Sequence, residues 1–340
     1  MQKKYLLLLF IIMAGLGAWY FLKPIKTGTS DKTKTDFSIK NTESITKIFI
    51  SNKFEGHVVL EKKKGVWWVN EKYEASIPLM NFFLEETLKK VRVRGPVALP
   101  ARQNVIASMA TLASKVEVYC NHELYKTFYV GSPTSDMSGT YMYLQGSKDP
   151  YITHIPGFDG FLSTRFPIAE HEWVSKLVFD YQPDDIQCVD VFYPANPNES
   201  FTVKRRNKNN DFDIIASVNA LKGQLNYAAV KSYFGMFKTK TCEGFISLKQ
   251  AQMDSLRLQK PLCEISVTDS KKIVKKLRIY LRQSNERDHS LFDSHGNQLT
   301  HDPSRFNAFL DANPRCFVIQ DIVFANVMIK YSDFFIKPTK

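Results

Sequence analysis

Apolar residues crowd the opening of the chain and then spread into alternation. Tyr5–Leu22 (YLLLLFIIMAGLGAWYFL) holds eighteen residues without a charge, Asn, Gln or Pro. As a helix it rises about 27 Å, close to the ~30 Å hydrocarbon core of a bilayer. Lys3 and Lys4 stand before it, Lys23 and Lys26 after it. The pattern predicts a transmembrane anchor at 5–22 behind a cytoplasmic tail at 1–4. A cleaved leader would end its apolar run at small residues. Here Trp19, Tyr20, Phe21 and Leu22 carry the run past Gly15 and Gly17, which favours retention. Short basic tails stay cytoplasmic, while long domains translocate largely regardless of charge. The body is therefore expected in a bacterial periplasm, held to the inner membrane. Residues 23–44, rich in Lys, Thr and Ser, read as a flexible tether.

Beyond the tether, alternation takes over and the same order of elements is written twice. The first copy opens with strands at Ile45–Ile50, Val58–Glu61 and Val66–Val69, the last two joined by a charged turn at Lys62–Gly65. The second has Ile186–Phe192, Phe201–Lys204 and Phe212–Ile215, with a basic turn at Arg205–Asp211 in the same place. Strands joined this way form antiparallel meanders. A capped helix follows in each. Ser76 precedes Met80, Leu84, Leu88 and Val91, and Asn226 precedes Val230, Phe234 and Phe237. A second helix is expected at Arg102–Leu112 and at Leu248–Leu258. Further strands follow at Val116–Cys120, Thr127–Val130 and Tyr141–Leu144, matched by Cys263–Val267, Lys276–Leu281 and Leu291–Asp293. The fold class is α+β: an N-terminal transmembrane helix, then two tandem antiparallel-sheet-plus-helix units at 45–170 and 186–335, joined by a linker at 171–185.

The order ITKIFI, GVWWV, a capped helix, KVEVYC, TFYVGSPTSDMSGTYMYL and DPYITHIPGF resembles the DUF4340 family. Trp67 and Trp68, Val130-Gly131 and Gly139-Thr140-Tyr141 carry the likeness, which spans about Ile45 to Phe166. The second copy is a diverged version lacking the Gly-x-Tyr element. The resemblance implies a membrane-tethered bacterial envelope protein without an established reaction, whose relatives sit beside ABC-transporter components.

Composition narrows the class. Hydrophobic residues make up 44% of the 340, enough for real cores, so disorder is excluded for most of the length. The net charge of +12 invites a nucleic-acid reading, but an extracytoplasmic address argues against one. Solvated lysine-rich turns account for the charge, and attraction to anionic headgroups or acidic glycans is the alternative. The five cysteines are widely spaced and lack a CxxC, so buried thiols are expected, with Cys242–Cys263 the least implausible bridge.

The sequence carries no phosphate loop, GxGxxG, GxSxG or HExxH, and no cofactor is implied. The strongest chemical candidate is 288–302 (DHSLFDSHGNQLTHD), where His289, Asp293, His295 and His301 could ligate a metal beside Asp302. A polar hairpin turning at Gly296-Asn297 explains the same residues. Glu170, His171 and Glu172 offer an acid–base pair, or a solvated junction. Trp67 and Trp68 face opposite sides of a strand, one expected in the core and the other free to meet a sugar or a partner. Tyr141 and the basic turns at Lys62, Lys63 and Lys64 and at Arg205 and Arg206 complete the interaction candidates. The residues thus read as a non-catalytic, membrane-anchored binding or scaffold protein with envelope-protein partners. The alternatives are a periplasmic metal-dependent enzyme using 288–302 and a glycan-binding module using Trp68 or Tyr141.

Overall fold

A computed structural model describes residues 35–206, 211–221, 223–284, 292–293, 295–311 and 313–336. The expected anchor at 5–22 and tether residues 23–34 lie outside them. Among the described residues no helix is long and apolar enough to cross a membrane. The chain divides between Ser175 and Lys176 into two compact units, each built on an antiparallel sheet, so the fold is α+β.

The first unit opens with a meander: β1 (Ile45–Asn52), β2 (Gly56–Lys63), β3 (Val66–Val69) and β4 (Tyr73–Glu74). The β2–β3 turn is tight because Lys64 and Gly65 both take positive φ, 50° and 84°, which suits the twist of a two-residue hairpin. Ser76 Oγ then accepts from Leu79 N at 3.5 Å and starts α1 (Ile77–Asn81), which continues as a π-helical stretch, Phe82–Leu88. β5 (Arg92–Pro96) and α2 (Leu99–Leu112) follow. Next come β6 (Ser114–Cys120), β7 (Glu123–Pro133), β8 (Thr140–Leu144), β9 (Tyr151–His154) and a single turn, α3 (Glu170–Trp173). The nine strands lie in the order β4-β3-β2-β1-β6-β7-β8-β9-β5. Alternation buries Ile48, Ile50, Leu60, Val116, Val118, Phe128 and Met142 on one face. Phe83 joins that core edge-on to Phe166 and Trp173, with centroids at 5.3 and 4.9 Å.

The second unit begins with β10 (Leu177–Phe179), then β11 (Ile186–Phe192), β12 (Phe201–Arg205) and β13 (Phe212–Ala216). Asn226 accepts from Ala229 N and caps α4 (Tyr227–Tyr233). β14 (Lys240–Thr241), which pairs with β10, β15 (Gly244–Phe245) and α5 (Gln250–Leu258) lead into β16 (Cys263–Asp269), β17 (Val274–Gln283), β18 (His301–Leu310), β19 (Asn313–Gln320) and α6 (Asp321–Phe324). The eight-stranded sheet runs β13-β12-β11-β16-β17-β18-β19-β15, which repeats the order of the first from β3 to β5, with the edge strand β4 unmatched.

The likeness extends to register. The β1–β6 ladder bulges between Ile45 and Lys47, and the β11–β16 ladder between Ile186 and Cys188. Lys126 and Lys275 pair with Val118 and Val267, matching sites on β6 and β16. Each donates backward to the segment ahead of the first strand: Lys126 Nζ to Asp36 O and Ser38 O at 2.7 and 2.6 Å, Lys275 Nζ to Val178 O at 3.2 Å. Both units close alike as well. Ser76 N donates to Trp173 O and Asn226 N to Phe334 O, at 2.8 and 2.7 Å.

Three expected boundaries are corrected. Of the expected tether, residues 35–44 fold onto the first unit: Phe37 and Ile39 are buried, and Thr42–Ser44 form a 3-10 turn. The expected linker at 171–185 is built into the units, because Trp173 and Val174 finish the first core and Val178 and Phe179 begin the second. The strand expected at Leu291–Asp293 is displaced to β18, where Pro303 and neighbouring polar residues mask the alternation until Phe306 and Ala308.

Candidate functional site

The sheet face of the first unit opposite the core is partly roofed by α2. Gly131 sets how closely the helix approaches: a Cβ there would stand 3.1 Å from Met109 Cγ and 3.0 Å from Tyr141 O. A glycine lets the helix sit this low without displacing Met109 or the Tyr141 carbonyl. Beside this contact the outward positions of β7 and β8 carry Tyr129 and Tyr143, directly opposite each other in register, with rings 5.9 Å apart and tilted by 45°. The space between helix and rings is a groove of about 570 Å³, within the ~300–1,000 Å³ range of small-ligand sites. Ile106, Met109 and Ala110 form the helix wall, and Gln145 and Lys148 also line it.

Its polar groups are few and differently committed. Tyr143 OH donates to Ser147 O at 3.1 Å, which fixes the ring. Asp149, next to Lys148, is held by Arg102, and Lys148 has no carboxylate partner among the described residues. On the same face Lys115 pairs with Glu117 at 2.5 Å, and that hydrogen bond holds the ammonium above its ordinary pKa. The groove can therefore take a ring against two phenols and offer one unspent positive charge.

The second unit also has a groove beneath its second helix, about 500 Å³, lined by Leu248, Leu256, Leu281, Arg282, Gln283 and Asn307 among others. Its chemistry differs. Tyr280 stands where the first unit has Gly131, and with Phe309, Leu256 and Cys316 it fills the space under α5. Arg278, the counterpart of Tyr129, bonds Asp311 at 2.6 Å, and Arg257 covers Phe309, the counterpart of Tyr143, at 4.6 Å. No open aromatic pair lines this groove.

The structure distributes the sequence candidates widely. Neither Trp67 nor Trp68 is fully buried; Val69 takes the core position, and Trp68 lies opposite Glu61. Tyr141 sits half-buried on β8 opposite Ile152. Lys62 pairs across the hairpin with Trp67, and Lys64 occupies the turn. Lys63 is matched by Glu61 and Glu71 at 3.0 and 3.5 Å. Arg205 is a structural residue rather than a solvated turn cation. It donates to Ile186 O and Pro183 O at 3.1 and 2.6 Å and lies over Phe212 and Phe234. Arg206 is paired with Asp213.

His289 lies outside the described residues. Asp293 closes a turn, accepting from His295 N and Asn297 N at 2.8 Å each. His295 and His301 are exposed, and His301 Nδ1 contacts Thr300 Oγ1 at 2.9 Å. Asp302 is buried and bound to Ser304 N and Oγ. Among the described residues no three His, Cys, Asp or Glu side chains gather as a metal site. Glu170 accepts from Asn70 Nδ2 at 2.8 Å, which ties the junction to the β3–β4 turn. All five cysteines are free thiols, so the Cys242–Cys263 bridge is corrected; burial pushes Cys263 up to about 12 and Cys242 up to about 11.

No sequence motif marks Tyr129, Tyr143, Gln145 or Lys148. Their available signal is phase, since both tyrosines occupy the outward positions of strands whose inward positions are Phe128, Val130, Met142 and Leu144. Comparison with protein-family models, curated proteins and solved structures returns no match for this chain.

Proposed function

We propose that this chain is a non-catalytic, membrane-anchored binding and scaffold protein of the bacterial envelope, built from tandem copies of one unit and held outside the cytoplasm by 5–22. The observation that carries the reading is the groove beneath α2. It has the size of a ligand site and is lined by apolar side chains, two tyrosines, Gln145 and Lys148, groups suited to holding a ligand. The shared strand order supports duplication, and a membrane tether would raise the effective concentration of weak contacts. The resemblance to the DUF4340 family points the same way and suggests an accessory role beside an ABC-transporter-type complex.

Crosslinking in intact envelopes, followed by purification of the chain, tests this directly. Reproducible capture of one integral transporter subunit supports the scaffold. A stoichiometric metal in the purified chain, lost when His289, His295 and His301 are replaced together, would instead support the metal-dependent enzyme.

A further inference from the structure

We propose that the groove beneath α2 seats an acidic sugar residue, its apolar ring face against Tyr129 and Tyr143 and its carboxylate at Lys148. The inference rests on the reading of the chain as a binding protein and adds the class of ligand. Three observations carry it.

The first is the platform. Two tyrosine rings, 5.9 Å apart and facing one groove, offer a wide amphipathic surface to the C–H face of a sugar ring, while their phenols remain available to hydroxyl groups. Tyr143 spends its proton on Ser147 O but keeps its acceptor lone pairs; Tyr129 makes no hydrogen bond among the described residues. Met109 and Ile106 complete the wall with side chains that adapt to an irregular ring.

The second is charge. Lys148 is exposed at the groove, and the adjacent carboxylate of Asp149 is already taken by Arg102. The ammonium is thus unneutralised beside an aromatic floor, which suits an anionic substituent over a neutral one. Gln145 adds an amide able to donate and accept, matching a hydroxyl neighbour.

The third separates sugar from peptide. β7 and β8 are interior strands, laddered on both sides. An extended peptide gains much of its affinity from an open strand edge, and this groove offers side-chain groups in place of such an edge. A ligand recognised through hydroxyls and a carboxylate fits that supply. In the second unit Arg278 and the covered Phe309 replace the tyrosine pair, so the sugar seat belongs to the first unit alone.

Isothermal titration of the full chain in detergent, with trigalacturonate, maltotriose and the acidic peptide Glu-Tyr-Glu-Phe-Glu as probes, tests the inference. Trigalacturonate should bind most tightly. Lys148→Met, a surface change, should weaken it about tenfold, as expected for loss of one charge-assisted contact, and leave maltotriose unaffected. Tyr129→Ala should remove binding of both sugars, with circular dichroism confirming that the chain stays folded; Gln283→Ala in the second unit should change nothing. Binding of the peptide alone, an unchanged trigalacturonate affinity in Lys148→Met, or silence with all three probes would overturn the sugar assignment. Crosslinking to an envelope partner could still succeed in that case, which keeps the two readings distinguishable.

Discussion

Replacing Phe37 by Ala asks whether the first unit begins near residue 36 or only at Ile45. The Phe37 ring is wholly buried and meets Phe128 and Tyr151 edge-on, each centroid 6.3 Å away. Truncating a buried phenylalanine removes its transfer free energy and leaves a cavity, together ~3–5 kcal/mol. A residue in a solvated tether would cost less than ~0.5 kcal/mol. The assay is a urea titration of the full chain in detergent, followed by tryptophan fluorescence. Trp67, Trp68 and Trp173 belong to the first unit and the second has none, so the signal from the folded body reports the first unit. With a urea slope of ~2–3 kcal/mol per M, the midpoint should fall by roughly 1–2.5 M. Phe54→Ala, at a position 67% exposed in the same unit, supplies the reference and should hardly move. If Phe37→Ala behaves like Phe54→Ala, the packed leading segment is wrong.

Four further outcomes follow from the same geometry. Lys126→Met removes two hydrogen bonds to Asp36 O and Ser38 O and should cost about 2 kcal/mol in that titration, burial of the charge offsetting part of their strength. Gly131→Ala forces a Cβ to 3.0 Å from Tyr141 O and should destabilise the first unit by ~1–3 kcal/mol, with loss of the groove's ligand. Hydrogen bonds from Ser138 and Thr134 hold Asp136 down to about 2. A depressed carboxylate stabilises the fold above its unfolded pKa of ~4 and loses that contribution as pH falls through the folded value. Asp136→Asn should therefore flatten the stability profile between about pH 4 and pH 2, read by denaturation at stepped pH. Ellman titration should count five thiols in the unfolded, unreduced chain, with Cys242, Cys263 and Cys316 unreactive until unfolding; a missing pair would restore the disulfide.

How far the sequence reaches can be judged from particular residues. Ser76 and Asn226 announce their helices because capping is local chemistry, and the Ile48, Ile50 alternation in a β-branched run marks β1, with Ile45 joining the buried side only through the bulge after it. Phe37 and Ile39 escape notice because two apolar residues in a Lys, Thr and Ser background gain their burial only from distant partners such as Phe128 and Tyr151. Arg205 misleads for the opposite reason. In a basic turn it reads as solvated, but the strand register places its guanidinium on Ile186 O and over two phenylalanines. The groove depends on where α2 crosses β7, and a glycine in a strand hints at that close approach without naming what approaches.

Protease treatment of spheroplasts, combined with fractionation, tests most directly whether the chain is a body held outside the cytoplasm by its apolar leader. The chain should sediment with membranes, resist alkaline carbonate extraction, and lose the 35–336 body to externally added protease. Recovery in the soluble fraction, or a body protected until the cells are lysed, would contradict it.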